Sequence, residues 1–90
     1  IVTSTFELDE KEIKVFPNPS SEFANIILPL NHSASNLEIY DVIGNMIYSN
    51  KLAESKNNYK INLADFRSGI YQIVISSKDK ITTEKLEVYK

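Results

Sequence analysis

Residues 59–75 read YKINLADFRSGIYQIVI, and this stretch decides the fold class. Large apolar side chains alternate with polar ones in Tyr59-Lys60-Ile61-Asn62-Leu63, a period of two that indicates a strand with one buried face. The second half, IYQIVI, is almost wholly apolar, as in a strand near the centre of a sheet. Residues 64–69 between them are too few for a helix, so we expect a turn that places Leu63 and Phe66 in the core.

The same period of two recurs on both sides of this stretch. Polar loops at 31–36 and 52–58, and a Gly44-Asn45 turn whose residues tolerate positive φ, separate the apolar runs. Turn signals therefore recur about every ten residues, the spacing of an all-β antiparallel β-sandwich. We predict seven strands, at 13–17, 23–28, 37–40, 46–49, 59–63, 70–75 and 81–89.

Composition excludes several classes of function. The net charge is −2 and the pI about 5.3, without the excess of Lys and Arg that nucleic-acid binding needs. No apolar run approaches the ~18–20 residues of a spanning helix. The chain starts without a Met or a signal peptide, so we expect residues 1–12 to be a linker to an upstream cargo domain and residues 13–90 to be the folded domain.

Catalytic and metal-binding residues are scarce. His32 is the sole histidine, it lies among Ser and Asn, and we expect it at the surface. There is no cysteine, and no acid cluster with metal-ligand spacing. The two glycines are 25 positions apart, which excludes a phosphate-binding loop. We therefore predict no enzyme activity, no cofactor and no metal.

Four motifs in order resemble a known family, the type A C-terminal sorting domains of type IX (Por) secretion cargo proteins. Phe16 replaces the usual Tyr of the first motif, and Asn45 replaces a frequent Lys of the second. The motifs stand as Val15-Phe16-Pro17-Asn18-Pro19, Leu37-Glu38-Ile39-Tyr40-Asp41-Val42-Ile43-Gly44-Asn45, Ile61-Asn62-Leu63-Ala64-Asp65-Phe66-Arg67-Ser68-Gly69-Ile70-Tyr71 and Thr83-Glu84-Lys85-Leu86-Glu87-Val88-Tyr89-Lys90.

The resemblance implies an immunoglobulin-like sandwich that directs a larger cargo protein across the outer membrane of a Gram-negative bacterium. It implies passage through the periplasm, recognition by the outer-membrane type IX machinery, and removal by a sortase-like peptidase. The cargo would then be released or attached to the cell surface. The candidate recognition residues are Pro17, Asn18, Pro19, Gly44, Gly69, Tyr71, Lys85, Leu86, Val88 and Lys90.

Each candidate also has a purely structural interpretation. The Pro17–Pro19 segment is a rigid turn that protects a strand edge, with Asn18 capping the turn. Gly44 supplies positive φ; Gly69 does the same or admits a second backbone. Tyr71 packs on Phe66 with its hydroxyl satisfied at the rim of the core.

The last strand has two interpretations that the sequence leaves open. At a sheet edge, its backbone could pair with a receptor by strand addition, flanked by Lys85 and Lys90. Alternatively it simply completes the sandwich.

Two other functions remain as alternatives, an accessory carbohydrate-binding module and a spacer module of a secreted enzyme. A carbohydrate-binding module needs exposed aromatic side chains on one face. The chain has no Trp, and its Tyr and Phe residues stand at core spacing, which predicts no such platform.

Overall fold

The computed structural model describes residues 13–29, 33–53, 55–78 and 80–90. The predictions for the linker at 1–12 and for His32 lie outside these residues. The strands are β1 (Lys14–Phe16), β2 (Phe23–Ile27), β3 (Ala34–Tyr40), β4 (Met46–Lys51), β5 (Asn58–Asn62), β6 (Gly69–Ser77) and β7 (Ile81–Val88).

Two antiparallel sheets form a sandwich. The smaller sheet has the order β1-β2-β5 and the larger one the order β4-β3-β6-β7. The predicted seven-stranded β-sandwich is confirmed, and the apolar strand β6 is central, between β3 and β7. Strand β7 lies at a sheet edge, as one of the two interpretations of the last strand requires.

Alternation within each strand builds the core, because side chains two residues apart share one face of a sheet. In β5, for example, Tyr59 and Ile61 are buried and their neighbours exposed. Fifteen of the described apolar residues form one buried cluster. They are Ala24, Ile26, Leu28, Ala34, Leu37, Ile39, Tyr59, Ile61, Leu63, Phe66, Tyr71, Ile73, Ile75, Leu86 and Val88.

Strand bounds differ most from the prediction at the start of β3. We expected residues 34–36 to belong to a polar loop, but Ala34 and Asn36 pair with Ser77 and Ser76 of β6. Ala and Asn both have a low intrinsic strand propensity, but the long neighbour β6 offers backbone partners that override it. Both peptide bonds that precede Pro17 and Pro19 are cis.

Candidate functional site

The Pro17–Ser20 segment leaves the three-stranded sheet and runs along the free edge of β7. We call this segment the clip. The Asn18 side chain donates to the Lys85 carbonyl at 3.0 Å and accepts from the Glu87 N–H at 2.9 Å. Ser20 continues the pairing through its backbone. Its N–H donates to the Glu87 carbonyl at 2.8 Å, and its carbonyl accepts from the Tyr89 N–H at 2.8 Å. The clip thus joins two motifs that are almost seventy residues apart in sequence.

The prediction that Asn18 caps its own turn is wrong. Pro17 and Pro19 on either side of it have no backbone N–H, so this part of the chain cannot pair with a strand through its backbone donors. A carboxamide carries the donor and acceptor of a peptide group, and the Asn18 side chain therefore takes the place of backbone in the ladder.

Ser20 is a site residue that the sequence interpretation missed. It is 1% exposed, and its hydroxyl donates to the Pro17 carbonyl, which closes the clip. The signal for it was available: a small polar residue directly after a Pro-x-Pro turn often bonds back to the turn.

Receptor contact by strand addition is restricted by this geometry. In the second half of β7, the clip bonds the backbone N–H and C=O groups that point away from β6, from the Lys85 carbonyl to the Tyr89 N–H. Such groups recur at every second residue of an edge strand, so those of Ile81 and Thr83 also point away from β6. Among the described residues, they have no backbone partner. Strand addition is therefore limited to the first half of β7.

Two predicted recognition residues are not accessible. Leu86 and Val88 are 0% and 2% exposed and belong to the core, because inward side chains of β7 face the small sheet. In the folded domain, neither Leu86 nor Val88 can contact a receptor directly. Lys85, by contrast, is exposed on the outer face of the larger sheet.

The last residue is bound to the third motif. The Lys90 ammonium donates to the carbonyl of Leu63 at 2.5 Å and to that of Ala64 at 3.2 Å, and its N–H donates to the Ser68 hydroxyl at 2.9 Å. The positive charge of Lys90 therefore neutralises carbonyl dipoles in the turn after β5. The Lys90 ammonium is thus hydrogen-bonded within the domain.

Tyr71 adopts the predicted arrangement. Its ring meets the Phe66 ring edge-on, with centroids 5.1 Å apart, and its hydroxyl donates to the Arg67 carbonyl at 2.8 Å. A buried tyrosine that bonds upstream backbone in this way fixes the corner before a strand of an immunoglobulin-like sandwich.

Gly69 has a positive φ of 156°, and no atom lies within 4 Å of the position that a Cβ would take. Its conformation, not a close backbone approach, favours glycine.

The second motif ends in a tight hairpin turn. The Gly44 N–H donates to the Asp41 carbonyl at 3.1 Å, and the Asp41 carboxylate accepts from the N–H groups of Ile43 and Asn45 at 3.1 and 2.8 Å. Gly44 has the predicted positive φ, at 92°. Asn45 does not have a positive φ. The Asp41 carboxylate and carbonyl hold the turn through their hydrogen bonds, and Gly44 alone of the two takes the left-handed conformation.

All four motifs meet at one end of the sandwich, which we call the motif end. A shallow groove there is lined by residues of the second, third and fourth motifs, including Val42, Ile70 and Lys85. The clip, which belongs to the first motif, lies along the same part of β7. Residues that are scattered in sequence thus form one continuous surface.

Groups for catalysis do not gather at the motif end or elsewhere in the described part of the chain. No three His, Cys, Asp or Glu residues among the described ones lie together as metal ligands would. Among the described residues, a pKa shift is found for Tyr40 on the outer face, where a 2.9 Å hydrogen bond from its hydroxyl to the Glu38 carboxylate raises the pKa of the phenol.

A family model described as the secretion system C-terminal sorting domain matches residues 14–89. This chain belongs to that family. The sorting domain is also 32% identical over 90 residues to ulvan lyase NLR42 of Nonlabens ulvanivorans. The match covers 96% of the sorting domain and 16% of the lyase, so the lyase's activity is not carried over.

A solved structure supports the fold of the sorting domain. An immunoglobulin-like β-sandwich protein of the duf3244 family from Bacteroides vulgatus superposes with a TM-score of 0.72. It is 20% identical, and the match covers 88% of the sorting domain and 86% of that protein. The predicted immunoglobulin-like fold is thereby confirmed.

Family membership fixes the general function. The sorting domain is a type IX secretion signal on a cargo protein, which is exported to the cell surface or beyond it. Domains of this family are signals without catalytic activity. Within the described residues, no helix has the length and apolarity to cross a membrane.

Proposed function

We propose that the type IX machinery recognises the motif end of the folded domain. The observation that carries this proposal is the convergence of the four motifs, with the clip bonded along β7. Most motif residues outside the core lie at one end, where the clip, the turns at 41–45 and 64–69 and the end of β7 come together.

Recognition at the motif end uses exposed side chains next to the clip. Lys85 and Ile70 are exposed beside the groove, whereas Leu86 and Val88 act by holding β7 in place. The free backbone groups of Ile81 and Thr83 supply a further docking edge for a receptor strand. The folded shape is therefore the signal, and the last residues contribute by completing it.

Removal of the domain after transport would be the work of a sortase-like peptidase acting on the exported chain. Peptidases bind extended chain, whereas the described chain from Lys14 onward is committed to paired strands and the turns between them. We therefore place cleavage before Lys14, upstream of the folded domain of residues 13–90. The mass of a released reporter would give the position directly.

Transfer of the domain to an unrelated protein tests the proposed function. A reporter with its own inner-membrane signal is followed by residues 13–90 and expressed in a host that has the type IX system. Export of the folded reporter through the periplasm is expected. A second fusion without residues 85–90 loses half of β7 and should stay in the periplasm. Retention of the intact, folded fusion would show that the domain is a spacer and not a transferable signal.

A further inference from the structure

The outer face of the three-stranded sheet carries the side chains that alternate with the core, and we call it the small-sheet face. Each strand contributes to it, because outward positions recur at every second residue. They include Lys14, Phe16, Phe23, Asn25, Lys60 and Asn62.

Two aromatic rings are exposed on the small-sheet face, contrary to the prediction that all Phe and Tyr residues at strand spacing are core residues. Phe16 is 48% exposed and Phe23 is 39% exposed. Phe16 pairs with Asn25 across the two strands, and Phe23 stands two residues from Asn25 on the same face. The two rings are therefore diagonal neighbours, within reach of a single ligand.

The charge of the small-sheet face is positive although the chain is acidic overall. Its described strands present Lys14 and Lys60 outward and carry no Asp or Glu, and the exposed Glu22 directly before β2 offsets only one of the two charges. The outward positions of the larger sheet behave differently, since Glu38 and Glu87 there offset the lysines. Charge complementarity therefore selects an anionic partner for the small-sheet face.

One of these lysines is fixed beside an exposed ring. The Lys60 ammonium lies 4.1 Å from the centroid of the Phe23 ring, a cation–π contact that holds positive charge at the centre of the face. Asn25 is the cross-strand partner of Lys60, and Asn62 that of Phe23. The Asn25 amide already donates to the Phe16 carbonyl at 3.4 Å, and the Asn62 side-chain oxygen accepts from the Ala64 N–H at 2.9 Å. The Asn25 side-chain oxygen and the Asn62 amide group take no part in these two bonds and add an acceptor and a donor between the rings and the charges.

We propose that the small-sheet face binds an acidic polysaccharide lying across the three strands. The Phe16 ring covers the apolar face of one sugar ring, the amides bond hydroxyl groups, and Lys14 and Lys60 pair with carboxylate or sulfate groups. A single-stranded nucleic acid would stack successive bases on several open rings, whereas on this face Lys60 covers one side of the Phe23 ring.

Affinity electrophoresis of the 90-residue chain tests this proposal. The gels contain polygalacturonate or dextran sulfate, with neutral dextran for comparison and an oligothymidylate as the nucleic-acid probe. The acidic polysaccharides should retard the chain and neutral dextran should not. Phe23→Ala and Lys60→Ala should each weaken binding about tenfold, because each removes one of the few contacts of a shallow site.

The matched controls lie on the opposite sheet. Ile70→Ala and Lys85→Ala remove an exposed apolar side chain and an exposed lysine there, and neither should change the retardation. Circular dichroism checks that every variant is folded. If Phe23→Ala does not fold, Lys60→Ala still tests the proposal. Absence of retardation, an equal loss in Lys85→Ala, or equal binding of the oligothymidylate would overturn the proposal.

Discussion

Replacement of Asn18 by alanine removes the side-chain half of the clip. The carboxamide makes two hydrogen bonds to the β7 backbone, at 3.0 and 2.9 Å. Each is worth about 0.5–1.5 kcal/mol net. Their partners at this edge become accessible to water, so we expect Asn18→Ala to lower the free energy of unfolding by about 1–2 kcal/mol. For a domain of this size that is a fall in Tm of roughly 4–16 °C.

Urea and thermal denaturation with Asn50→Ala as the matched control measure this effect. Asn50 is also an exposed asparagine on an edge strand, β4, and its side chain makes no hydrogen bond to a described residue. Asn18→Asp separates the two bonds, since a carboxylate still accepts from Glu87 N–H but faces the Lys85 carbonyl without a donor. Equal stability of Asn18→Ala and Asn50→Ala would refute the role of the clip.

Three further substitutions test single contacts. Tyr71→Phe keeps the ring but leaves the Arg67 carbonyl without its 2.8 Å donor, so urea denaturation should show a loss of about 1 kcal/mol. Gly44→Ala meets no steric obstacle but must hold a φ of 92°, and a loss of about 1–2 kcal/mol by the same assay reports backbone strain alone. Glu38→Gln should lower the pKa of Tyr40 towards its ordinary value in an ultraviolet titration, because the anionic acceptor that favours the neutral phenol is gone.

Alternation predicted most of the fold from the sequence. In β5 and β7, every large side chain predicted to face inward is buried, because a period of two fixes which face a strand residue occupies. Alternation cannot predict which strand lies beside which, or where pairing stops. The start of β3 was therefore assigned to a loop, although long-range pairing with β6 holds Ala34 in the sheet.

The sequence singles out Asn18, Lys85 and Lys90 as separate motif positions, and their part in recognition stays a prediction. The sequence does not show that Asn18 bonds the fourth motif and that Lys90 bonds Leu63 of the third. No local pattern states that the Asn18 amide acts as backbone for β7. Phe16 lies on a three-residue strand, β1, which is too short to show alternation. The exposure of Phe23 was predictable, because Phe23 alternates with the inward Ala24 and Ile26 of β2.

Export of a reporter with a single charge reversal tests the central claim most directly. Lys85→Glu reverses an exposed lysine at the motif end, and Lys51→Glu reverses one on β4, the opposite edge of the same sheet. Both fusions should remain folded. Recognition of the motif end predicts that Lys85→Glu lowers the exported fraction of the reporter, whereas Lys51→Glu leaves it unchanged. Equal export of the two variants would contradict recognition at the motif end.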